Sequence, residues 1–316
     1  MRILITGGLG QIGSHVADLC LDRGDEVVVI DNLATGRIEH LNPQKNLEIV
    51  IDTIANKDLI FSIFEKFKPE AVVHTAASYK DPDDWYNDTM TNCVGAANVI
   101  QAAKKNQCKR FIYYQTALCY GLKPLHQPIN LSHPILPGSS SYSISKTANE
   151  YYLDLSGLEF VTFRLANVIG PRNVAGPLPI FYQRLKEKKK CFVTKAKRDF
   201  VYVGDLALVT LKAIDGLGNG AYHFSSGTDV SIQTLYNYVV ESMNLDYVPE
   251  LEIKELNEDD VASILLDPKK TFEDFGEIEF TPLEVTVKKA IEYYMQHGTL
   301  GEYTHLRIEK KGNSKQ

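Results

Sequence analysis

The stretch T-G-G-L-G-Q-I-G-S-H at residues 6–15 decides which fold this sequence predicts. It places Gly7, Gly10 and Gly13 between a short β-branched run at 3–6 and an amphipathic segment at 11–23. Glycine lets the chain turn sharply there, and it lets a diphosphate approach the backbone and the positive N-terminal end of the following helix. The pattern therefore predicts a strand, a nucleotide-binding turn and a helix; a glycine turn without a ligand is the alternative.

The segments that follow repeat this alternation of strand and helix. Further strands are predicted at 27–30, 47–51, 71–73 and 111–114. They alternate with helices predicted at 58–67 and 84–105. Such alternation is typical of an α/β fold, here a Rossmann-type doubly wound parallel sheet with right-handed crossovers.

The rhythm of the sequence changes after residue 170, where a segment rich in Gly, Pro and Asn is followed by shorter elements. We therefore expect a nucleotide-binding domain at 1–170 and a smaller C-terminal α/β substrate domain at 171–316. Some of the later segments are expected to return to the first domain. The later elements are predicted as strands at 159–168, 200–203 and 222–224 and helices at 180–189, 231–243 and 283–296.

Polar residues follow three of the predicted strands. Asp31 ends the second strand, where a carboxylate would bind a ribose 2′-hydroxyl and repel a 2′-phosphate, so NAD is favoured over NADP. Asp52 ends the third strand, where an adenine edge would lie, with an ordinary surface turn as the alternative. The fourth strand ends in H-T-A-A at 74–77, whose small residues would bring the backbone close to the cofactor; for His74 a packing role is the alternative.

The composition limits the possible classes of function. A net charge of −6 and a pI of about 5.8 argue against a general nucleic-acid binder. The basic stretch at 186–198 is interpreted as a solvated helix end and loop. The cysteines, which are too scattered for a metal knuckle and predict free thiols in a reducing compartment, are Cys20, Cys93, Cys108, Cys119 and Cys191. With no signal peptide and no long apolar run, we expect a soluble cytoplasmic protein without membrane insertion or a metal site.

Two short segments place a tyrosine four residues before a lysine, S-Y-S-I-S-K at 141–146 and F-Y-Q-R-L-K at 181–186. On a helix this spacing puts both side chains on one face, where an ammonium favours the phenolate. A chain with 17 tyrosines contains about one such pair by chance. The spacing alone therefore does not choose between Tyr142 with Lys146 and Tyr182 with Lys186.

An ordered set of motifs makes that choice. The motifs are T-G-x-x-G-x-x-G at the start, H-T-A-A at 74–77, T-A-L-C-Y-G at 116–121, Y-S-I-S-K at 142–146, R-L-A-N-V-I-G-P at 164–171 and R-D-F-V-Y-V-G-D-L-A at 198–207. Over about residues 1–215 the chain resembles the extended short-chain dehydrogenase/reductases, specifically the NAD-dependent nucleotide-sugar epimerase/dehydratase group. The resemblance becomes weaker towards the C-terminus.

The resemblance implies that Tyr142, Lys146 and Thr116 are catalytic. Tyr142 would act as a phenolate base, Lys146 would lower its pKa and bind the nicotinamide ribose, and Thr116 would hydrogen-bond the reacting oxygen. Tyr142 follows the strand that carries Thr116, at the carboxyl edge of the sheet where cofactor crevices lie. Tyr182 and Lys186 are interpreted as part of an ordinary amphipathic helix. For Thr116 alone, a strand-end threonine is the alternative.

The resemblance also implies cofactor and substrate contacts. The cofactor contacts are Gly7, Gly10, Gln11, Ile12, Gly13, Asp31, Asn32, Asp52, Thr53, His74, Ala76, Asn92, Tyr142 and Lys146. The substrate contacts are Lys80, Thr116, Asn167 and Arg198. Helix capping is the alternative for Asn92, and a surface salt bridge is the alternative for Arg198.

The residues after Thr116 bear on the fate of a 4-keto sugar once oxidation has formed it. The related 4,6-dehydratases have an Asp-Glu pair there, whereas this chain has Ala117 and Leu118, which cannot transfer a proton. The expected reaction is therefore hydride return to the opposite face, which is C4 epimerisation with NAD and no net redox change. A nucleotide-sugar oxidoreductase such as a keto-sugar reductase, and a non-enzymatic NAD-binding protein, are the alternatives.

The substrate is expected to be a UDP-sugar. The family has a second phosphate-binding arginine near the C-terminus, which has no counterpart in N-E-D-D-V at 257–261, so the diphosphate contacts depart from the family pattern there. Ile264 is expected to limit the bulk at the sugar C2, and Lys80 could pair with a uronic acid carboxylate. By resemblance, helices at 84–105 and 142–156 would form a homodimer interface, with Val99, Tyr151 and Leu155 as candidate contacts or, alternatively, facing the sheet.

Overall fold

The computed structural model describes residues 1–79, 81–138, 140–256 and 261–299. Its strands are β1 Arg2–Thr6, β2 Glu26–Asp31, β3 Leu47–Ile51, β4 Ala71–His74, β5 Arg110–Thr116, β6 Phe160–Leu165, β7 Asn167–Ile169, β8 Phe192–Thr194, β9 Lys197–Arg198, β10 Phe200–Tyr202, β11 Gly220–Phe224, β12 Val230–Ser231 and β13 Glu252–Lys254. Its helices are α1 Gln11–Asp22, α2 Lys57–Phe67, α3 Trp85–Asp88, α4 Ala96–Lys105, α5 Ser141–Ser156, α6 Pro177–Lys186, α7 Val203–Ile214, α8 Ile232–Met243, α9 Lys269–Phe275 and α10 Leu283–His297.

A parallel sheet forms the centre of the molecule, with seven strands in the order β11-β6-β5-β4-β1-β2-β3. The apolar strands alternate their side chains between two helical layers, as buried parallel strands do. Ile3 and Ile5 face the layer formed by α1 and α7, and Leu4 faces the layer formed by α2, α4 and α5. The expected Rossmann-type doubly wound sheet is therefore confirmed.

The order of the strands puts β1 beside β4 and reverses the direction of winding between them. At such a reversal the loops that follow neighbouring strands diverge and leave a crevice at the carboxyl edge of the sheet. The glycine turn after β1, the H-T-A-A segment that begins with the last residue of β4, and Thr116 at the end of β5 all lie at this edge.

Segments from the second half of the chain pack on the central sheet. β11 pairs in parallel with β6 at the sheet edge, and α7 packs on α1 through Leu206 and Val209. The sequence did not predict α7, which begins where the strand predicted at 200–203 ends early, at Tyr202. Helices α6, α8 and α10 form a separate apolar cluster, whereas Phe275 of α9 packs into the core on the side of α1 and α7.

The helix predicted at 84–105 is divided into three parts. Between α3 and α4 the backbone forms a π-helical turn, Thr89–Gly95. Gly95 packs against Ile54, where an added Cβ would lie 2.5 Å from the Ile54 Cγ1 atom. Such turns shift the side chains that follow around the helix axis, and they are frequent at functional sites.

The other expectations concern the surface and the thiols. The cysteines are free. Across the ranges described above, no helix is both long enough and apolar enough to cross a membrane. In the basic stretch, Lys189, Lys190 and Lys195 form ion pairs with glutamates, which agrees with a solvated surface.

Candidate active site

The glycine turn packs closely against the segment after β4. Gly7 has a φ of +66°, and a Cβ there would lie 2.6 Å from the backbone nitrogen of Ala76. A Cβ on Gly13 would lie 2.5 Å from the carbonyl oxygen of Gly7. Gly10 is the N-cap of α1 and offers no side chain to cover the first amides of that helix. The turn therefore leaves the positive end of α1 accessible to a diphosphate.

Gln11, the first residue of α1, has one buried amide nitrogen without a hydrogen-bond partner among the described residues. Its Oε1 accepts a hydrogen bond of 3.1 Å from Asn173 Nδ2, and Asn173 Oδ1 also has no partner there. Ile12 is half-buried against the core cluster of α1 and α7. Buried unpaired polar atoms are rare in proteins, so these two indicate a place where a polar ligand fits.

Asp31 is buried at the end of β2. Its Oδ2 accepts a hydrogen bond of 3.0 Å from the backbone of Leu9, and its Oδ1 accepts one of 2.8 Å from Leu33. Burial raises the pKa of this carboxyl, and the two backbone hydrogen bonds act in the opposite direction. A Cβ on Gly36 would lie 2.8 Å from Oδ1, so the backbone approaches the carboxylate closely. Asp31 thus joins the glycine turn to the next loop and keeps acceptor capacity for a hydroxyl.

The predicted adenine side of the site is held by local turns. Asp52 follows β3, and its backbone nitrogen donates a hydrogen bond of 3.1 Å to the Asp31 carbonyl. Its Oδ1 accepts one of 2.6 Å from Thr53, and Asn32 Oδ1 accepts one of 3.0 Å from Ala34. Asn32 is exposed, whereas Asp52 and Thr53 are half-buried. The structure therefore brings these three residues to the same edge as Asp31.

His74 lies inside the sheet and is fully buried. Its Nδ1 forms a hydrogen bond of 2.7 Å with Thr6 Oγ1, and its ring stacks on Tyr113 at 5.8 Å. Burial, and secondarily the charge of Lys146, lowers the pKa of His74 to about 3. The neutral, buried ring agrees with the packing alternative, while Ala76 remains at the glycine turn.

Tyr142 and Lys146 lie one turn apart at the start of α5. Ser140 caps this helix by accepting a hydrogen bond from the Ser143 amide. Lys146 is only 3% exposed, and burial lowers its pKa to about 7; its Nζ lies 4.3 Å from the centre of the Tyr113 ring. Burial, and then Tyr79 and Asp88, raises the pKa of Tyr142. Burial therefore shifts both side chains towards their neutral forms.

Thr116 ends β5 opposite this helix. Its Oγ1 accepts a hydrogen bond of 3.2 Å from the Leu118 amide, which leaves the hydroxyl proton to donate elsewhere. Ala117 and Leu118 lie in the 3₁₀ turn that follows, packed against Ile264 in one apolar cluster. The side of the site next to Thr116 is therefore apolar.

Asn92 is fully buried in the π-helical turn and caps no helix. It accepts a hydrogen bond of 2.8 Å from the Ser78 amide and donates bonds of 3.0 Å each to the Ser78 carbonyl and to Ser145 Oγ. Ser145 lies between Tyr142 and Lys146 on α5. Asn92 therefore joins the loop after β4 to the helix that carries the candidate base.

The two predicted diphosphate contacts lie on β7 and β9. Asn167 is exposed, and its Nδ2 donates a hydrogen bond of 3.3 Å to the Asp199 carbonyl. Arg198 Nη1 donates to the carbonyls of Lys197 and Val261, at 2.7 and 2.9 Å. Lys80, predicted as a sugar contact, lies outside the described residues, as do residues 257–260 of the segment without an arginine.

The second tyrosine–lysine pair has a structural role. Tyr182 is 2% exposed in the cluster of α6, α8 and α10, and its hydroxyl donates a hydrogen bond of 3.0 Å to the Tyr294 carbonyl. The Lys186 Nζ lies 5.7 Å from the centre of the Tyr182 ring. The interpretation of this segment as an amphipathic helix is confirmed.

Sequence reasoning missed three buried polar residues behind Thr116, namely Gln115, Glu150 and Arg164. One signal was present in the sequence, because Gln115 interrupts the apolar strand R-F-I-Y-Y-Q-T just before Thr116. Buried polar groups in such a strand need partners, but the sequence does not show which ones.

The chain matches known proteins over most of its length. Residues 3–224 match the model of the NAD dependent epimerase/dehydratase family. The structure is similar to that of the Bordetella bronchiseptica enzyme WbmH in complex with NAD+, with 64% identity, a TM-score of 0.93 and coverage of 94% of this chain and 99% of that chain. It is also similar to WbmG of the same organism in complex with NAD and UDP, with 40% identity, a TM-score of 0.88 and coverage of 96% and 98%.

A relative with an assigned activity is the UDP-glucose 4-epimerase of Mycolicibacterium smegmatis. It is 29% identical over 313 residues, which span 93% of this chain and 98% of that protein. The family model covers more than half of the chain and includes the glycine turn, Thr116, Tyr142 and Lys146. The chain belongs to the NAD dependent epimerase/dehydratase family.

Proposed function

We propose that this protein is an NAD-dependent nucleotide-sugar 4-epimerase that acts on a UDP-sugar. The observation that carries the proposal is the position of Thr116 at the end of β5 and of Tyr142 and Lys146 at the start of α5, beside the apolar side chains of Ala117 and Leu118. The two elements pack together where the Tyr113 hydroxyl donates a hydrogen bond of 2.8 Å to the Lys146 carbonyl. The named activity of the Mycolicibacterium smegmatis relative supports the same reaction.

The residues present fit NAD. The open N-terminus of α1 would hold the diphosphate, and Gln11 Nε2 is a buried donor without a partner among the described residues at that point. Asp31 would accept from the adenosine ribose and disfavour a 2′-phosphate. Lys146 would donate to the nicotinamide ribose. When bound, NAD supplies a hydride acceptor and later a hydride donor next to C4 of the sugar.

Tyr142 acts as the base. The ammonium of Lys146 and the positive charge of the cofactor favour the phenolate, and so they oppose the effect of burial on the Tyr142 pKa. The phenolate accepts the proton of the C4 hydroxyl, while Thr116 donates a hydrogen bond to the same oxygen. After the sugar presents its other face, Tyr142 returns the proton to the oxygen. The epimerisation causes no net oxidation or reduction, because the hydride that leaves C4 returns to C4.

The wall beside Thr116 limits the outcome to epimerisation. Removing a proton from C5, or water from C5 and C6, needs a second acid–base group near the ketone. Ala117 and Leu118 supply none, and both belong to the apolar cluster around Ile264. The 4-keto intermediate therefore has hydride return as its open route.

We assign the elements at 171–316 that do not join the central sheet to a domain that holds the nucleotide sugar. Asn167 and Arg198 would contact the diphosphate, and Ile264, which is 8% exposed, would limit the space near C2. Lys80 would face the sugar and pair with a uronic acid carboxylate if the substrate carries one. Replacing Lys80 by Ala tests this, since an unchanged preference between UDP-hexuronates and neutral UDP-hexoses would exclude that pairing.

We also propose a cytoplasmic location, in keeping with the free thiols.

We further propose a homodimer built on α4 and α5. Tyr151 and Leu155 are exposed on α5, and Tyr152 and Leu155 line a groove with Ile100 and Lys104 of α4. Val99 is buried in the core on this side of the sheet and is not part of this surface, which agrees with the alternative given for it.

The first experiment is to incubate the purified protein with a panel of UDP-sugars, without added cofactor, and to follow the sugar protons by NMR. We expect the C4 epimer of one sugar to appear, which requires NAD retained by the protein. Turnover only after addition of a reduced or oxidised cofactor would favour the nucleotide-sugar oxidoreductase instead.

A further inference from the structure

A chain of buried hydrogen bonds begins at the backbone of Thr116. The Thr116 amide donates a hydrogen bond of 2.8 Å to Oε1 of Gln115, the preceding residue. Gln115 Nε2 donates 3.3 Å to Glu150 Oε2 on α5. Arg164 on β6 donates to both oxygens of Glu150, from Nε at 3.3 Å and from Nη2 at 2.6 Å. Gln115, Glu150 and Arg164 are 1%, 5% and 6% exposed, so water does not replace these contacts.

The chain continues from Arg164 into the C-terminal half. Arg164 Nη1 donates a hydrogen bond of 2.5 Å to the Tyr120 hydroxyl. That hydroxyl in turn donates a hydrogen bond of 2.6 Å to Nε2 of His223 on β11. Burial lowers the pKa of His223 to about 4, so the ring is neutral and its Nδ1–H donates 2.9 Å to the Asp267 carbonyl. The segment from Val261 to Asp267 also holds Arg198, through the Val261 carbonyl.

The donors and acceptors along this chain allow one arrangement. The Thr116 amide can only donate, which fixes Oε1 of Gln115 towards it and Nε2 towards Glu150. Glu150 then accepts from three donors on two different elements. The side chain of Gln115 thereby has one position relative to α5, the helix that carries Tyr142 and Lys146.

Such a network is not needed for stability alone. Replacing a buried ion pair by apolar residues of similar size is often neutral or stabilising, whereas a fully bonded network fixes one geometry. On the opposite face of the same strand, Tyr114 uses a single hydrogen bond to Thr210. The elaborate set of contacts lies on the side of β5 that leads to Thr116 and α5.

We propose that Gln115, fixed by Glu150 and Arg164, is a positioning residue that sets the distance between Thr116 and the Tyr142–Lys146 helix. The inference rests on the proposed function, because it concerns how the two sides of one reacting oxygen are held. Thr116 is anchored by its own backbone amide, and α5 is anchored at Glu150, one turn after Lys146. Through Arg164, Tyr120 and His223 the same network reaches the segment that holds Arg198.

The test compares two variants on the same strand. Gln115→Met keeps the volume but removes the hydrogen bonds of the amide to the Thr116 backbone, to Glu150 and, at 3.4 Å, to Thr147 Oγ1 on α5. Tyr114→Phe removes the buried hydrogen bond on the other face of the strand. We expect kcat of Q115M to fall by about tenfold to a hundredfold, because small displacements of catalytic groups have effects of that size. KM for the UDP-sugar should change by less than about twofold, since Gln115 is only 1% exposed and offers no surface to a nucleotide. Y114F should keep the kcat of the wild type.

A third variant separates positioning from stability. Gln115→Glu keeps the acceptor for the Thr116 amide but places a second carboxyl against Glu150. Two carboxyls at this distance share a proton, so the pKa of the pair is raised. We expect Q115E to keep most of its activity near about pH 6, where the shared proton restores the hydrogen bond, and to lose it towards about pH 8. Q115M should be slow throughout.

The groups packed around this pair are Arg164 on β6, Tyr113 on β5, Asp154 on α5, and Cys119 and Tyr120 in the 3₁₀ turn. The Arg164 ion pair is present in the wild type and in both variants, and so it does not produce the difference. The pH profile of Q115E, relative to the wild type, therefore reports the shared proton.

The inference is overturned if Q115M matches Y114F in kcat, or if Q115E follows the wild-type pH profile. A wild-type protein that epimerises no UDP-sugar contradicts the proposed function instead. Hydrogen exchange at the Thr116 amide then tests the network on its own. Protection in the wild type that is lost in Q115M supports it, and equal exchange in both proteins overturns it.

Discussion

Tyr142 and Tyr182 each lie four residues before a lysine, yet they differ in their position in the fold and in their surroundings. Tyr142 lies at the start of α5, at the edge of the sheet where Thr116 ends β5, whereas Tyr182 is enclosed in the C-terminal cluster and donates to a backbone carbonyl. The buried hydroxyl of Tyr182 contributes about 1 kcal/mol to the free energy of unfolding, as a typical hydrogen bond does. Reactivity is therefore expected from Tyr142 alone.

This difference leads to a prediction with its own matched control. Tyr142→Phe should lower kcat by about a hundredfold to ten-thousandfold, since it removes the acid–base group, while the NAD retained by the purified protein is unchanged. Tyr182→Phe should keep kcat and lower the free energy of unfolding by about 1 kcal/mol. Kinetics, released NAD and urea denaturation measure the three quantities. An active Y142F, or an inactive Y182F that is still folded, would contradict the assignment.

At the residue scale, the sequence indicated which residues are candidates for the site, but it did not indicate their hydrogen-bond partners. The glycines, Asp31, Thr116 and Lys146 could be located because a turn, a strand end or a helical spacing requires those residue types at those points. The partners of Asn92 could not be predicted, since Ser78 and Ser145 reach it only through the tertiary fold. The same holds for Gln115, whose role depends on Glu150 and Arg164 from other elements.

Among the elements, α5 has two distinct faces. Lys146, Glu150 and Leu153 are buried against the sheet, whereas Tyr151 is 52% exposed and Leu155 is 78% exposed. Exposed aromatic and aliphatic side chains in a patch indicate a contact surface more often than isolated ones do. The proposed homodimer would cover this face together with the neighbouring face of α4.

The dimer predicts a change in mass from one substitution. Leu155→Lys should give a folded monomer, because a lysine would be buried without a partner at the interface. Leu208→Lys is the matched control, since Leu208 is 54% exposed on α7, at the other side of the sheet. Size-exclusion chromatography with light scattering gives the masses. A wild-type monomer, or a dimer that persists in L155K, would contradict the proposal.

Most element boundaries could be predicted from hydrophobic periodicity, but the π-helical turn could not. The apolar pattern at 84–105 fits one helix, and the extra residue per turn at Thr89–Gly95 depends on the contacts of Asn92 and on the fit of Gly95 to Ile54. Helix α7 was missed for a related reason. The sequence predicts a strand up to residue 203, whereas α7 begins there and is stabilised by its packing on α1, which the local sequence does not show.

At the scale of the whole molecule, the central sheet contains strands from both halves of the chain, and the folded protein buries several histidines. His40, His74 and His223 are buried and His15 is half-buried. Burial lowers the pKa of His74 to about 3 and the pKa of each of the others to about 4. Each imidazole is therefore neutral in the folded protein at a pH at which it is charged in the unfolded chain.

These lowered pKa values determine the sign of the pH dependence. Between about pH 6.5 and the lowered values, the unfolded chain binds protons that the folded protein does not, so the free energy of unfolding falls as the pH falls. Each histidine contributes up to about 1.4 kcal/mol per pH unit in that range. Buried carboxyls with raised pKa values, such as Asp31 and Asp199, act in the opposite direction.

Acid should therefore destabilise this fold from about pH 6.5 downwards, where the unfolded chain begins to bind protons at its histidines. We expect the urea midpoint, measured with saturating NAD, to decrease from about pH 7.5 to about pH 5.5. His40→Gln keeps a donor for the Leu9 carbonyl, which His40 Nδ1 contacts at 2.7 Å, and should make this decrease shallower by about one proton. His126→Gln, at an exposed position, is the control and should keep the wild-type slope. Equal slopes for H40Q and the wild type would show that the buried imidazoles do not govern acid stability, and the free energy of unfolding would then have to depend on the carboxyl groups instead.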